Sequence, residues 1–247
     1  IVNYGFPNTR HGEVYVVDGT YLNIRSFAMP FGDYRGSFRD NPFILRVVQT
    51  RLPGPPEGNY MPDTVRAFRE IAGDGGGDMV YSKGPEDLVQ KIREILEQER
   101  RKPLDLVLCL DTTHSMKDDI DSIRSLLIPM LQDMIPEFPD FRIGMVLYKD
   151  YFEEYLTRVI PFTRDMAAVR RSLNAIRVSG GRDLPEAVYE ALHEAAVRFP
   201  WEADTRLIIL IGDAPPHARP RGRITRDMME REVADKALKV HAIILPQ

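Results

Sequence analysis

The stretch Leu104–Met116, LDLVLCLDTTHSM, decides how the rest of the chain is read. Leu106, Val107, Leu108, Cys109 and Leu110 form an unbroken apolar run, the pattern of a strand buried on both faces of a parallel sheet. The run stops at Asp111, and a helical pattern begins only after Ser115. Asp111, Thr113 and Ser115 thus take the first, third and fifth places of the loop that leaves the strand. Oxygen side chains at a sheet's C-terminal edge in that spacing suit a hard divalent cation. Such an ion takes about six oxygens in near-octahedral geometry and keeps some of them as water. The D-x-T-x-S spacing is weak alone; two oxygen-rich clusters downstream strengthen it.

Outward from this strand, strands and helices alternate, as in an open parallel sheet with helices on both faces. A helix is expected over Asp118–Ile135, with Ile120, Ile123, Leu127, Met130 and Met134 on one face and a kink at Pro129. Arg142–Tyr148 reads as the second strand, and Tyr155–Phe162 as an edge strand, because Pro161 would disturb a central one. Thr163 is the expected cap of a helix carrying Met166, Val169, Leu173 and Ile176. Pro185–Phe199 reads as a helix, Leu207–Ile211 and Val240–Leu245 as buried strands, and Thr225–Lys239 as a helix capped by Thr225. The fold class expected is therefore α/β, a doubly wound, mostly parallel sheet.

Residues 1–60 have a different texture and are expected to form a small β-rich appendage, with 61–247 as the main domain. Asp18-Gly19 between two β-rich runs predicts a two-residue hairpin turn, and Phe43–Thr50 predicts a further strand. A Pro/Gly-rich stretch, Leu52–Gly58, separates this part from the remainder. Residues 62–100 read as helix, Gly turn, short strand at Met79–Ser82 and helix from Pro85. Gly75, Gly76 and Gly77 invite a phosphate-cradle reading, but helix-then-strand is the reverse of the order such a cradle needs.

Bulk properties narrow the classes. Hydrophobic residues make up 43% and charged residues 28% of the 247, which is ordinary for a globular chain. A net charge of −4 argues against a general nucleic-acid binder. No apolar run reaches the roughly 18 residues that span a bilayer, so no membrane insertion is expected. The single cysteine, Cys109, lies inside the buried strand and reads as a core residue. His11, His114, His193, His217 and His241 lack zinc-ligand spacing. The chain opens on Ile1 rather than Met, which fits a fragment that has lost a signal or anchor segment; an extracytoplasmic location is the expectation.

The second cluster is SGGRDLPE, Ser179–Glu186, and the third is IGDAPPH, Ile211–His217, where another buried strand delivers an acid. In a doubly wound sheet such strand ends share one edge, so Asp111, Asp183 and Asp213 can converge. Without a cation that crowding is costly, up to ~4 kcal/mol for each like-charge pair at about 4 Å and an effective dielectric of 20.

With DTTHS, SGGRDLPE and IGDAPPH in place, Leu104–Leu245 resembles a von Willebrand factor A domain with its metal-ion-dependent adhesion site. VLYKD (Val146–Asp150), FTRD (Phe162–Asp165) and GDAPPH are most similar to the branch found in bacterial proteins and fused to alpha-kinases. The resemblance implies Mg²⁺ or Mn²⁺ held by the Thr113 and Ser115 hydroxyls, with Asp111 and Asp213 acting directly or through water. It also implies a protein partner whose Asp or Glu completes the coordination, and a binding or adhesion role without catalysis. Where the family commonly offers a threonine in the second loop, this chain has Asp183, read either as a ligand or as the cap of the next helix in a D-L-P-E box closed by Glu186. His114, Arg182, His217, Arg219 and Arg221 are the expected partner-binding rim, with His217 equally readable as a helix-entry residue. Asp150 reads either as an outer neighbour of the cation or as a surface turn.

Family members normally end in a last strand and a terminal helix, whereas this chain stops at Gln247. Either that ending has been removed, or Met79–Ser82 and the helix after it supply it from the N-terminal side, in permuted order. A Mg²⁺-dependent phosphohydrolase is the alternative function, since an Asp ending a first buried strand also opens phosphoryl-transfer sites. That chemistry usually wants a second carboxylate two residues on, where this chain has Thr113. A chaperone-like role beside a partner ATPase is a third reading.

Overall fold

The computed structural model describes residues 2–4, 11–15, 21–25, 59–181 and 185–246. Two compact units are present, Ile1–Asn59 and Tyr60–Pro246. In the first, β1 (Val2–Tyr4), β2 (His11–Tyr15) and β3 (Tyr21–Arg25) form an antiparallel sheet in that order. The β2–β3 ladder closes at the pair Tyr15–Tyr21. The Asp18-Gly19 turn expected between these strands lies outside the described residues. The strand expected at Phe43–Thr50 lies outside the described residues.

The second unit is built on six strands. In chain order these are β4 (Gly76–Tyr81), β5 (Leu104–Asp111), β6 (Phe141–Tyr148), β7 (Thr157–Thr163), β8 (Thr205–Gly212) and β9 (Lys239–Ile244). Their spatial order is β4-β9-β8-β5-β6-β7, parallel throughout except for antiparallel β7 at one edge. The apolar run that opened the reading is β5, buried at every position and paired with β6 on one side and β8 on the other. Its alternating side chains feed two cores. Leu106, Leu108 and Leu110 join the face covered by α2 (Pro85–Glu97), α3 (Lys117–Ser122), α4 (Ile128–Met134) and α5 (Met166–Ala175). Val107 and Cys109 join the opposite face, with α1 (Pro62–Asp74), α6 (Val188–Arg198) and α7 (Arg226–Asp235).

Three local departures have physical reasons. The single helix expected over Asp118–Ile135 is a 3₁₀ turn at His114–Met116, then α3, a π-turn stretch at Ile123–Leu127, and α4. Pro129 lacks a backbone N–H, and the widened π turn lies directly before it. The cap of α5 is Asp165, whose side chain accepts from Ala167 N, while Thr163 Oγ1 accepts from Asp165 N, one step earlier in the same turn. Helix α6 starts at Val188 rather than Pro185, because Glu186 N and Ala187 N donate to the Pro215 and Lys149 carbonyls instead. Thr225 caps α7 as expected, its side chain accepting from Met228 N.

Strand β4 precedes β5 in the chain yet lies at the far edge, parallel to β9, with Met79 opposite Ala242 and Tyr81 opposite Ile244. The three glycines form the turn and bulge that bring α1 into this strand. A Cβ on Gly77 would strike the Val240 carbonyl, so the close approach of β4 and β9 needs glycine there. Gly77→Ala is therefore expected to destabilise the fold by about 1–3 kcal/mol in urea unfolding. An unchanged midpoint would mean that β4 is not held against β9.

Candidate metal centre

Strands β5 and β8 are neighbours, so the acids that follow their apolar runs end up side by side. Asp111 is fully buried and Asp213 is 5% exposed. Asp111 Oδ1 accepts from Thr113 N at 2.8 Å and from Thr113 Oγ1 at 2.7 Å. Thr113 Oγ1 lies 3.2 Å from Ser115 Oγ, and Ser115 in turn hydrogen-bonds Asp213. Asp111 Oδ2 is buried and makes no hydrogen bond among the described residues. Burial pushes the pKa of both carboxyls up, and the Asp213 charge pushes Asp111 further in the same direction. The hydrogen bonds from Thr113 and Ser115 oppose those shifts.

The loops around this pair are tied together by one buried cation. Lys149, at the end of β6, is fully buried, and its Nζ donates to Thr112 O at 2.8 Å and to Ser179 O and Oγ. It thereby joins the first loop to the second. Thr112 N and Oγ1 both donate to Tyr148 O, and Ser179 N donates to Thr112 O. Gly180 and Gly181 carry φ of 86° and 82°, a left-handed pair that folds the second loop back on the first. His114 N donates to Gly180 O across that contact.

This donor set is the chemistry of a hard-cation site. Two buried carboxylates and two hydroxyls converge, Asp111 Oδ2 makes no hydrogen bond among the described residues, and Ser115 is exposed to water that can supply the remaining oxygens. Among the described residues there is no group of three or more His, Cys, Asp or Glu arranged to hold a metal, so the hydroxyls are essential to the fit. The residues present fit Mg²⁺ or Mn²⁺ and do not fit zinc.

The expected site residues divide into three groups. Asp111, Thr113, Ser115 and Asp213 are brought together. Asp183 and Arg182 lie outside the described residues. Of the expected rim, His114, Arg219 and Arg221 are exposed, whereas His217 is buried, its Nε2 against Asp150 Oδ1. Asp150 is no surface turn: it is 1% exposed and also accepts from Arg221 at 3.1 Å, which fastens the arginine loop to the end of β6.

Three residues at this edge were missed as parts of the site. In the sequence Lys149 stands out only as part of the VLYKD run; a lysine directly after a buried strand is the available signal. Glu186, read as a capping residue, is 3% exposed, and its Oε1 lies 3.8 Å from where a Cβ on Gly181 would stand, with Thr113 Cβ 3.2 Å from the same point. Asp119, at the start of α3, is 8% exposed, and burial together with the Asp213 charge raises its pKa to about 7. Its neighbour Asp118 is exposed, so the sequence pair Asp118-Asp119 hid which acid turns inward.

An open sheet with acids and hydroxyls gathered at its C-terminal edge defines a Rossmann-like binding domain. The chain belongs to the von Willebrand factor A domain family, whose model matches residues 105–244. It is 26% identical over 149 residues to integrin beta-1-A of Xenopus laevis, covering 49% of this chain and 19% of that protein. It is 30% identical over 119 residues to alpha-protein kinase vwkA of Dictyostelium discoideum, covering 46% of this chain and 19% of the kinase. The chain thus spans about a fifth of each of these relatives. A crystal structure of the pilus adhesin SpaC from Lactobacillus rhamnosus GG superposes with a TM-score of 0.43 at 14% identity, covering 58% of this chain and 24% of that one.

Two measurements follow from this geometry. Lys149→Met removes the donor to the Ser179 carbonyl and leaves Thr112 O with only the Ser179 N–H, and is expected to cost about 1–3 kcal/mol. Chemical denaturation reads this directly, and an unaltered midpoint would remove Lys149 as the tie. For Asp119 the folded pKa of about 7 lies well above the ordinary aspartate value, so its neutral form is the one the fold favours. The stability it contributes is complete below about pH 4 and is lost as pH rises through about 7. In chelator, the melting temperature should therefore fall from pH 5 to pH 8, and Asp119→Asn should flatten that fall. Equal slopes for the two proteins would contradict the buried, charge-crowded setting.

Proposed function

We propose that this chain is a divalent-cation-dependent protein-binding module of the adhesion or assembly kind. Asp111, Thr113, Ser115 and Asp213 hold Mg²⁺ or Mn²⁺ in this reading, and Asp183 or Glu186 adds an anion from the second loop. The observation that supports it most is Asp111 Oδ2, a carboxylate oxygen buried beside a second acid with no hydrogen bond of its own among the described residues. Leaving such a group unmatched is costly, and a divalent cation supplies the missing charge. When bound, the cation supplies an open coordination position, which an Asp or Glu of a partner protein fills. The chain's own residues fix the cage, with Lys149 locking the first two loops and Asp150 with His217 holding the third.

The finer identity follows the same reading. The site is a metal-ion-dependent adhesion site of the bacterial and alpha-kinase-associated branch, and the chain works outside the cytoplasm. The β4–β9 pairing is what a permuted domain would have, with β4 and α2 supplying the family's last strand and helix. The family members matched include proteins named as integrins, which supports a binding role. Among the described residues no helix is long and apolar enough to cross a membrane. Phosphoester hydrolysis is disfavoured because Thr113, standing where an acid/base carboxylate would be wanted, is engaged with Asp111.

Isothermal titration of the metal-free chain with MgCl₂ and MnCl₂ tests the cage. Saturable binding is expected, at least about tenfold weaker in Asp111→Asn and in Asp213→Asn, a loss of about 1.4 kcal/mol or more. Absence of binding at millimolar metal, or equal affinity in both variants, would overturn the proposal. Turnover of p-nitrophenyl phosphate in Mg²⁺ that vanishes in Asp111→Asn would move the function to the hydrolase alternative.

A further inference from the structure

Phe152 is 91% exposed, while the other large apolar side chains exposed among the described residues reach only 43% (Leu126) and 38% (Met228). It also sits at φ 67°, a left-handed backbone conformation that suits glycine and disfavours a bulky L side chain. An aromatic ring in water and an unfavourable backbone therefore coincide at a single residue. That residue lies in the loop between β6 and β7, four positions after Tyr148, which is the register partner of Asp111.

The loop is not slack. Lys149 is bound to both metal-edge loops, and its N–H donates to Leu156 O at 3.1 Å. Asp150 holds His217 and Arg221. The Tyr151 hydroxyl donates to Glu190, and the Tyr151 ring packs edge-on to His217 at 5.6 Å. Glu153 rests against Gly180, and the Tyr155 hydroxyl meets Thr112 Oγ1 at 2.7 Å. Its neighbours on either side are turned into the fold, and Phe152 is turned out. A single aromatic on a fixed loop has little ordering left to lose when it is covered, which is how the anchors of protein interfaces are built. The adjoining loop presents exposed Arg219, Arg221 and Arg223, so the matching surface is acidic as well as apolar.

We propose that Phe152 is the apolar anchor of the partner-binding face, packing on an aliphatic or aromatic side chain that stands close in sequence to the partner's metal-bridging acid. The occupant is an extended protein segment combining Asp or Glu with an apolar neighbour. This rests on the cation-dependent reading above and adds what that reading leaves open, the character of the residues beside the acid.

The test is selection of a displayed dodecapeptide library with one fixed central Asp against the full chain, in Mg²⁺ and in EDTA. It is repeated with Phe152→Gly, Phe152→Ser and Asp111→Asn. On the unaltered chain, Mg²⁺-dependent clones should be enriched at least about tenfold for an apolar residue within three positions of the Asp. Both Phe152 variants should keep the requirement for Asp and Mg²⁺ and lose the apolar preference, and Asp111→Asn should select nothing. Phe152→Gly should also raise the melting temperature, because glycine relieves the backbone. Enrichment of Asp without an apolar neighbour, an apolar preference that survives in Phe152→Gly, or a lower melting temperature would each overturn the inference and leave the cage intact. A chain dimer in sedimentation that dissociates in Phe152→Gly would overturn it in favour of self-association. No Mg²⁺-dependent selection on the unaltered chain would overturn the cation-dependent reading itself, and this inference with it.

Discussion

Everything at the functional edge follows from two adjacent strands ending in acids that the fold buries together. β5 and β8 are hydrogen-bonded neighbours, so Asp111 and Asp213 cannot move apart without breaking the centre of the sheet. Burial and mutual repulsion both favour protonation, and the chain answers with short-range donors, Thr113 to Asp111 and Ser115 to Asp213. Those donors do not exhaust the carboxylate oxygens. That crowding of buried acids is the physical basis of the cation proposed there.

The surrounding structure serves to hold that surplus still. A lysine placed among backbone carbonyls is an expensive device, since burial lowers its pKa and disfavours its charge. Its ties to Thr112 and Ser179 explain why the fold tolerates it: the first and second loops lie far apart in the sequence and share no strand. On the other side, Asp150 buries its carboxylate against His217 and Arg221, which fixes the start of the arginine loop. The rim is thus a fixed frame that carries exposed Arg219, Arg221 and Arg223.

Much of this was legible in the sequence. The unbroken apolar runs of β5, β6, β8 and β9 could only be strands covered on both faces, and Pro161 marked β7 as an edge. The motif oxygens of the first and third loops lie where strand ends must lie, and Thr225 and the alternation of elements gave the last helix. What sequence reading missed is non-local. Whether Asp118 or Asp119 turns inward depends on helix phase after an irregular 3₁₀ turn, and the period of a regular helix does not carry through a π turn. His217 looked like a rim residue because its partner, Asp150, is 67 positions away.

The most direct test is a crystal of this chain grown with Mn²⁺ and measured for anomalous scattering at the manganese edge. The account expects one strong peak within direct coordination distance of oxygens of Asp111 or Asp213 and of the Thr113 and Ser115 hydroxyls, water filling the rest. A fully ordered edge with no peak, or manganese bound only elsewhere on the chain, would contradict it.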